Sequence, residues 1–206
     1  MSRFRDYWPT LKDAPLLALL TALYWITAIA GLQFAVVPGA GTVVWPAAGI
    51  AFAVLLLYGP QLWPAIFLGR LLTALTVGSP QPLWADAIMA FGTALAAVVP
   101  IIPMRRLKDF DFRLGNLRDI LWLIVGGGLV GALISSGIGA IALWASGTQP
   151  DSLGLAFAAW ILGYGAGVVL VAPLILAWSR RAGPLLPPLQ AAHLVACLAA
   201  VAFVAS

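Results

Sequence analysis

The sequence predicts an all-α integral membrane protein, a polytopic bundle of about seven transmembrane helices, on three observations. Apolar residues make up 63% of the 206-residue chain, charged residues only 9%, and the apolar residues gather into long runs. A water-soluble domain carries about a quarter charged residues. That solvated surface is missing here, so lipid is the expected solvent. Spanning takes about 20 apolar residues, because a hydrocarbon core of ~30 Å is crossed at 1.5 Å per helical residue. Candidate stretches fall at 14–36, 43–58, 61–77, 82–102, 119–146, 153–178 and 189–206.

The first stretch follows a tail, residues 1–13, that carries Arg3, Arg5 and Lys12. At about 22 apolar residues it exceeds a signal-peptide core and is expected to be a retained anchor. Residues 14–206 then form one membrane-embedded domain. The second and third stretches are short, and either cross a thinned bilayer or form a re-entrant pair shielded by other helices. Each opens on a Trp-Pro pair, Trp45-Pro46 and Trp63-Pro64. Proline suits a first helical turn, where its missing N–H is no loss, and tryptophan suits the membrane interface. Trp45 has ligand contact as its competing role. The fifth stretch carries Gly127, Gly131, Ser135 and Gly139 at four-residue spacing, and the sixth repeats this with Gly163 and Gly167. Such small-residue faces let helices approach closely; the expectation is packing between these two stretches, with a homodimer contact as the alternative. The seventh stretch is still apolar at Ser206, so an eighth helix and a following cytoplasmic output module are expected.

Charge placement orients the bundle. Ten of the eleven Lys and Arg residues fall in the amino-terminal tail, the loop 103–118 and the loop 179–188, while the connections 37–42, 78–81 and 147–152 have none. The positive-inside rule puts all three basic segments in the cytoplasm, as expected for a multi-pass protein of a bacterial inner membrane. Even numbers of crossings must then separate them. Four and two fit, as would two and two if the short pair is re-entrant.

Several functions are disfavoured. The lone Cys197 and lone His193 are too few for a disulfide framework or a multi-ligand metal centre. His193, near the cytoplasmic face, is expected to be an interfacial or core residue rather than a pH sensor. Basic residues confined to loops do not make a nucleic-acid surface. No paired carboxylates, Ser-His-Asp set or phosphate-binding loop occurs, so neither catalysis nor a cofactor is expected.

Two charges lie well inside apolar runs: Arg70 and Asp86. An ion at the bilayer centre costs ~3 kcal/mol or more, which makes each a functional candidate. Arg70 should lie ~10 Å, and Asp86 ~6 Å, below the outer ends of their helices. A salt bridge between them is expected, with snorkelling of both to the outer interface as the alternative. Helix amino-termini near Arg70 would favour an anionic ligand. Tyr24, Trp25, Thr27 and Gln33 add polar groups to the first stretch, but their spacing does not single out an inner face.

The run Val44-Trp45-Pro46-Ala47-Ala48-Gly49-Ile50-Ala51, followed by Leu62-Trp63-Pro64-Ala65-Ile66-Phe67-Leu68-Gly69, resembles the MASE family, type one, of bacterial membrane-associated sensor domains. Leu117-Arg118-Asp119, Trp160, and Gly167 through Val171-Ala172-Pro173-Leu174 extend the likeness in the same order. The resemblance implies an eight-helix signal-input domain joined to a cytoplasmic histidine kinase, diguanylate cyclase or related module. Positions that are often polar in the family are Ala74, Gly92, Leu95 and Tyr164 here, which points to a different or more apolar signal. The competing readings are a small transporter or channel, which would show broken helices and a polar midplane site, and a structural anchor that dimerises its output domain.

Overall fold

A computed structural model describes residues 8–33, 35–37, 41–42, 44–107, 110–111, 114–148 and 153–179. Among them are helices α1 (Ala14–Leu32), α2 (Pro46–Tyr58), α3 (Trp63–Val77), α4 (Leu83–Arg106), α5 (Leu117–Leu121), a π-helix (Trp122–Val130), α6 (Gly131–Ser146) and α7 (Leu153–Ser179). The segment α5–π–α6 is continuous, so six rods correspond to the first six apolar stretches. The seventh stretch, 189–206, with His193 and Cys197, lies outside the described residues, as does the loop 180–188. Among the described residues, four helices are long and apolar enough to cross a membrane: Leu11–Leu32, Leu83–Arg106, Leu117–Ser146 and Leu153–Ser179.

Local chemistry sets the ends of these rods. Pro15, Pro46 and Pro64 occupy first turns, where the absent N–H leaves no bond unmade. Gly78 and Gly147 close α3 and α6 in the left-handed region, at φ 68° and 71°, which a Cβ would disfavour. The first apolar stretch runs to residue 36, but α1 ends at Leu32, and a short antiparallel pair, β1 (Ala35–Val37) with β2 (Gly41–Thr42), follows before α2.

Contacts between the rods fix their directions. Thr21 donates to the Ala65 carbonyl and Trp25 Nε1 to Thr76 Oγ1, so α1 and α3 run parallel. Tyr24 and Gly31 both meet the Trp45-Pro46 start of α2, so α1 and α2 are antiparallel. Arg105, near the end of α4, donates to Leu56 near the end of α2, making that pair parallel. Gly139 against Trp160 and Gly131 against Tyr164 make α6 and α7 antiparallel. The six rods therefore alternate in direction, as the charge parity requires. Lys12, Arg105, Arg106 and Arg118 collect at one end.

Helix α2 solves the problem of its own shortness. Its 13 residues rise only ~20 Å, short of a ~30 Å hydrocarbon core. Nine of them, Ala47–Ala53 with Leu55 and Leu56, are buried, because α1, α4 and α7 pack around the helix. Other protein, not lipid, surrounds it. Lipid instead meets the outer faces of the longer rods, where Ile141, Leu162, Leu170 and Leu174 are exposed.

The small-residue series makes the expected packing between the fifth and sixth stretches at Gly131 and Gly139, and meets other partners elsewhere. Gly163 lies against the Thr42 carbonyl of β2, and Gly167 against the Trp45 carbonyl at the start of α2. Gly127 faces Phe52 of α2, and Gly131 faces the Ala96 carbonyl of α4 as well as Tyr164. The close approach of the π-helix to α7 uses Gly128, against Val169 and the Gly165 carbonyl. Gly139 meets α7 beneath Trp160. The cause is the Gly126-Gly127-Gly128 run inside the π-helix. Its i→i+5 bonding widens the turn, so residues four apart no longer stay on one face.

At the basic end, Arg105 Nη1 donates to the Leu56 carbonyl at 2.6 Å, satisfying one of the orphan carbonyls that end a helix. Asp119, fully buried, accepts from the Asp111 backbone N–H at 3.0 Å and from Arg118 Nε at 3.1 Å. Asp119→Ala strands the Asp111 N–H and is expected to cost about 1–3 kcal/mol. Arg118→Ala should cost less than about 1 kcal/mol, since the Arg118 side chain is 50% exposed. Thermal unfolding in detergent, followed by circular dichroism, compares the two.

Candidate functional site

At the end opposite the basic residues the rods diverge around a cavity of about 260 Å³. Its walls come from α1, β2, the start of α2, α3, the α3–α4 turn, α4, α6 and α7. On α1 the buried residues Leu20, Tyr24, Ala28 and Gly31 form one stripe, and Tyr24 is its polar member. Of the four polar residues noted on the first stretch, only Tyr24 reaches the cavity. Trp25 bonds Thr76 on an exposed face, Thr27 bonds the Leu23 carbonyl of its own helix, and Gln33 is exposed.

Trp45 is placed by its backbone. Its N–H donates to the Gly163 carbonyl at 2.8 Å, and its carbonyl rests against Gly167. So clamped on α7, it turns its indole into the cavity wall and donates Nε1–H to the Tyr24 hydroxyl at 3.2 Å. Trp63, the other Trp-Pro tryptophan, stacks edge-on with Trp8 and Phe91 and lies outside the cavity lining.

Arg70 is half-buried in the wall. The expected Arg70–Asp86 salt bridge is absent: among the described residues Arg70 has neither an ion pair nor a hydrogen bond. Asp86 is 4% exposed, so it does not snorkel either. Its needs are met locally. Gly78 turns the chain so that the Ser79 hydroxyl donates to Asp86 Oδ1 at 3.0 Å, and the carboxylate lies in the first turn of α4, where the helix dipole favours an anion. Ser79 also contacts the Gln81 side-chain amide. Asp86 thus braces the turn that roofs the cavity, and Arg70 is left uncompensated.

Most hydroxyl protons in the lining are already committed. Thr42 donates to the Val44 carbonyl, Thr73 to Gly69 and Thr93 to Met89. Tyr24 accepts from Trp45, which leaves its own proton uncommitted. Tyr164 is 5% exposed, and its hydroxyl is buried without a partner among the described residues. An unsatisfied buried polar group costs about 1–3 kcal/mol. Tyr164→Phe should therefore leave the empty domain equally or more stable, by up to about 1 kcal/mol, in thermal melts.

Of the sequence candidates, the cavity brings together Arg70, Trp45, Ser135, Gly139 and Gly163, and leaves Asp86 behind its roof. Sequence reasoning missed Thr73, Thr93 and Gln81, and reached Tyr164 and Trp160 only through the family resemblance. Two of the family's usual polar positions, Ala74 and Tyr164, line the cavity, whereas Gly92 packs on Ile138. A signal existed for Tyr164: it lies between Gly163 and Gly165 in a small-residue stretch, where a bulky polar ring needs space made for it.

No curated protein and no solved structure matches the chain. A protein-family model, MASE1, matches residues 16–206, which take in α2 to α7, all but the first two residues of α1, and the whole cavity lining. With apolar multi-pass rods and that match over nearly its full length, the chain belongs to the MASE1 family of membrane-associated sensor domains.

Proposed function

We propose that this domain is the signal-input part of a bacterial inner-membrane receptor, that it takes up a small anionic ligand from the outer side, and that it controls a cytoplasmic output module such as a histidine kinase or diguanylate cyclase. The carrying observation is Arg70, a cation without a counter-ion among the described residues, in the wall of a cavity at the end remote from the basic residues. An uncompensated half-buried charge is costly, and a ligand anion is the partner that would offset it. The positive-inside rule puts the basic end in the cytoplasm, hence the cavity outside.

Signalling by such a domain requires two arrangements of similar energy, with ligand favouring one. The cavity draws on nearly every rod, so occupancy bears on their relative positions. The π-helix lies between the cavity-lining part of α6 and the basic end, where a change in winding would be felt by whatever follows.

Two measurements test this reading. A reporter enzyme inserted after Ser79 should be active outside the cell; activity inside would sink the orientation. In a thermal-shift screen of the purified domain against anionic and neutral metabolites, at least one anion should raise the unfolding midpoint in wild type and fail to do so in Arg70→Gln. Absence of any Arg70-dependent anion would remove the binding claim.

A further inference from the structure

The donors and walls of the cavity narrow the ligand class. We propose, resting on the sensory reading above, that the ligand is a monocarboxylate on a single aromatic ring. Its carboxylate would sit on Arg70, Tyr24 and Tyr164, with the ring against the Trp45 and Trp160 indoles.

The charge is limited by the lining. Arg70 is the only Lys or Arg among the described lining residues. A dianion such as a phosphate monoester would leave one negative charge without a partner in a largely apolar space. Asp86 stands one hydrogen bond behind the lining residue Ser79 and further disfavours a second charge. A neutral ligand would leave Arg70 as it is. One negative charge matches.

The donor geometry suits a carboxylate. Arg70, Tyr24 and Tyr164 all line the same cavity. The Arg70 guanidinium supplies a planar fork that fits two carboxylate oxygens. The Tyr24 proton is uncommitted, and the Tyr164 hydroxyl is buried with no partner among the described residues. The threonine hydroxyls cannot add to this set, because their protons go to backbone carbonyls.

The remaining space suits one ring. A cavity of about 150 Å³ holds a benzene molecule, so 260 Å³ accommodates a ring with its carboxylate and little more. Trp45, Trp160, Tyr24 and Tyr164 supply aromatic surface, and offset or edge contacts between rings add to simple area burial.

The test uses the complete chain in lipid nanodiscs, with benzoate and phenylacetate titrated calorimetrically. Hexanoate, benzamide, phenyl phosphate and inorganic phosphate serve as comparisons. Saturable binding of an aryl carboxylate is expected, weakened about 100-fold in Arg70→Gln and about fivefold to tenfold in Tyr164→Phe. Hexanoate should bind about twofold to tenfold more weakly, and benzamide and both phosphates should not bind measurably. Circular dichroism melts of both variants should equal or exceed wild type, which separates lost contacts from lost folding. If phosphates bind through Arg70 while both aryl carboxylates do not, the ligand class is wrong but the anion-sensing reading survives. If no anion binds through Arg70, both fail. Hexanoate binding as tightly as benzoate would overturn the ring assignment. Benzoate binding unaffected by either substitution would be partition into lipid and would overturn the site.

Discussion

Gly167→Ala is expected to prevent assembly of the bundle, with a loss among the largest of any single methyl addition at the described glycines. A Cβ at Gly167 would collide with the Trp45 carbonyl oxygen and lie 2.7 Å from its carbonyl carbon. The opposing Gly49 is equally tight, against the Gly167 carbonyl oxygen and 2.7 Å from Val171 Cβ. These obstacles are backbone atoms or side-chain roots, which cannot rotate away. The Trp45 N–H is meanwhile bonded to Gly163 on the same helix, so the two segments cannot part without breaking it. Overpacking of a core costs about 1–3 kcal/mol when side chains can adjust; against backbone the cost should be about 3 kcal/mol or more. Because Trp45 also holds Tyr24, the cavity would be lost with the crossing. Gly137→Ala and Gly154→Ala are the controls, since a Cβ at either meets nothing within 4 Å. Each should be neutral or stabilising by up to about 1 kcal/mol, from helix propensity alone. Size-exclusion profiles and thermal midpoints in mild detergent give the comparison. A Gly167→Ala protein as stable as the controls would disprove this packing.

Arg70→Met is expected to separate stability from function. In the empty domain the substitution removes a half-buried cation that has no ion pair or hydrogen bond among the described residues. It substitutes an apolar chain of similar length beside Ala74 and Val77. The empty domain should gain about 1 kcal/mol, a figure kept small because the cavity mouth still admits solvent. With the domain joined to a kinase output, the ligand response should vanish, because a lost charge-paired contact costs about 2–5 kcal/mol of binding. Stability rising while activity falls is the mark of a residue retained for function. Lower stability in the empty protein would instead make Arg70 a structural residue and defeat the proposal.

The two short helices show how the sequence reading went and where it stopped. Apolar runs and their Trp-Pro starts located α2 and α3, since helix existence is a local property of hydrophobicity and first-turn proline. Whether such short rods could stand in a membrane was not local, because the answer is the jacket of α1, α4 and α7 around α2. The same division runs through the site. Arg70 and Trp45 were recognisable because an intramembrane ion and an interfacial aromatic are conspicuous in apolar sequence. The partner assigned to Arg70 was wrong, because opposite charge across a hairpin is only one way to satisfy a carboxylate. Ser79 and the start of α4 satisfy Asp86 without it.

By itself, the sequence determined that the chain is helical and apolar enough for lipid, where its first six rods lie, and that even numbers of crossings separate its basic segments. Each of these follows from the cost of placing polar backbone or charge in hydrocarbon, which is set residue by residue. Only the tertiary structure decided which glycines meet which backbones, that the triple glycine winds as a π-helix, and that Tyr24, Arg70 and Tyr164 face one cavity. In a chain apolar on all sides, hydrophobic periodicity does not distinguish core from lipid, so helix faces are chosen by shape and hydrogen bonding between distant segments.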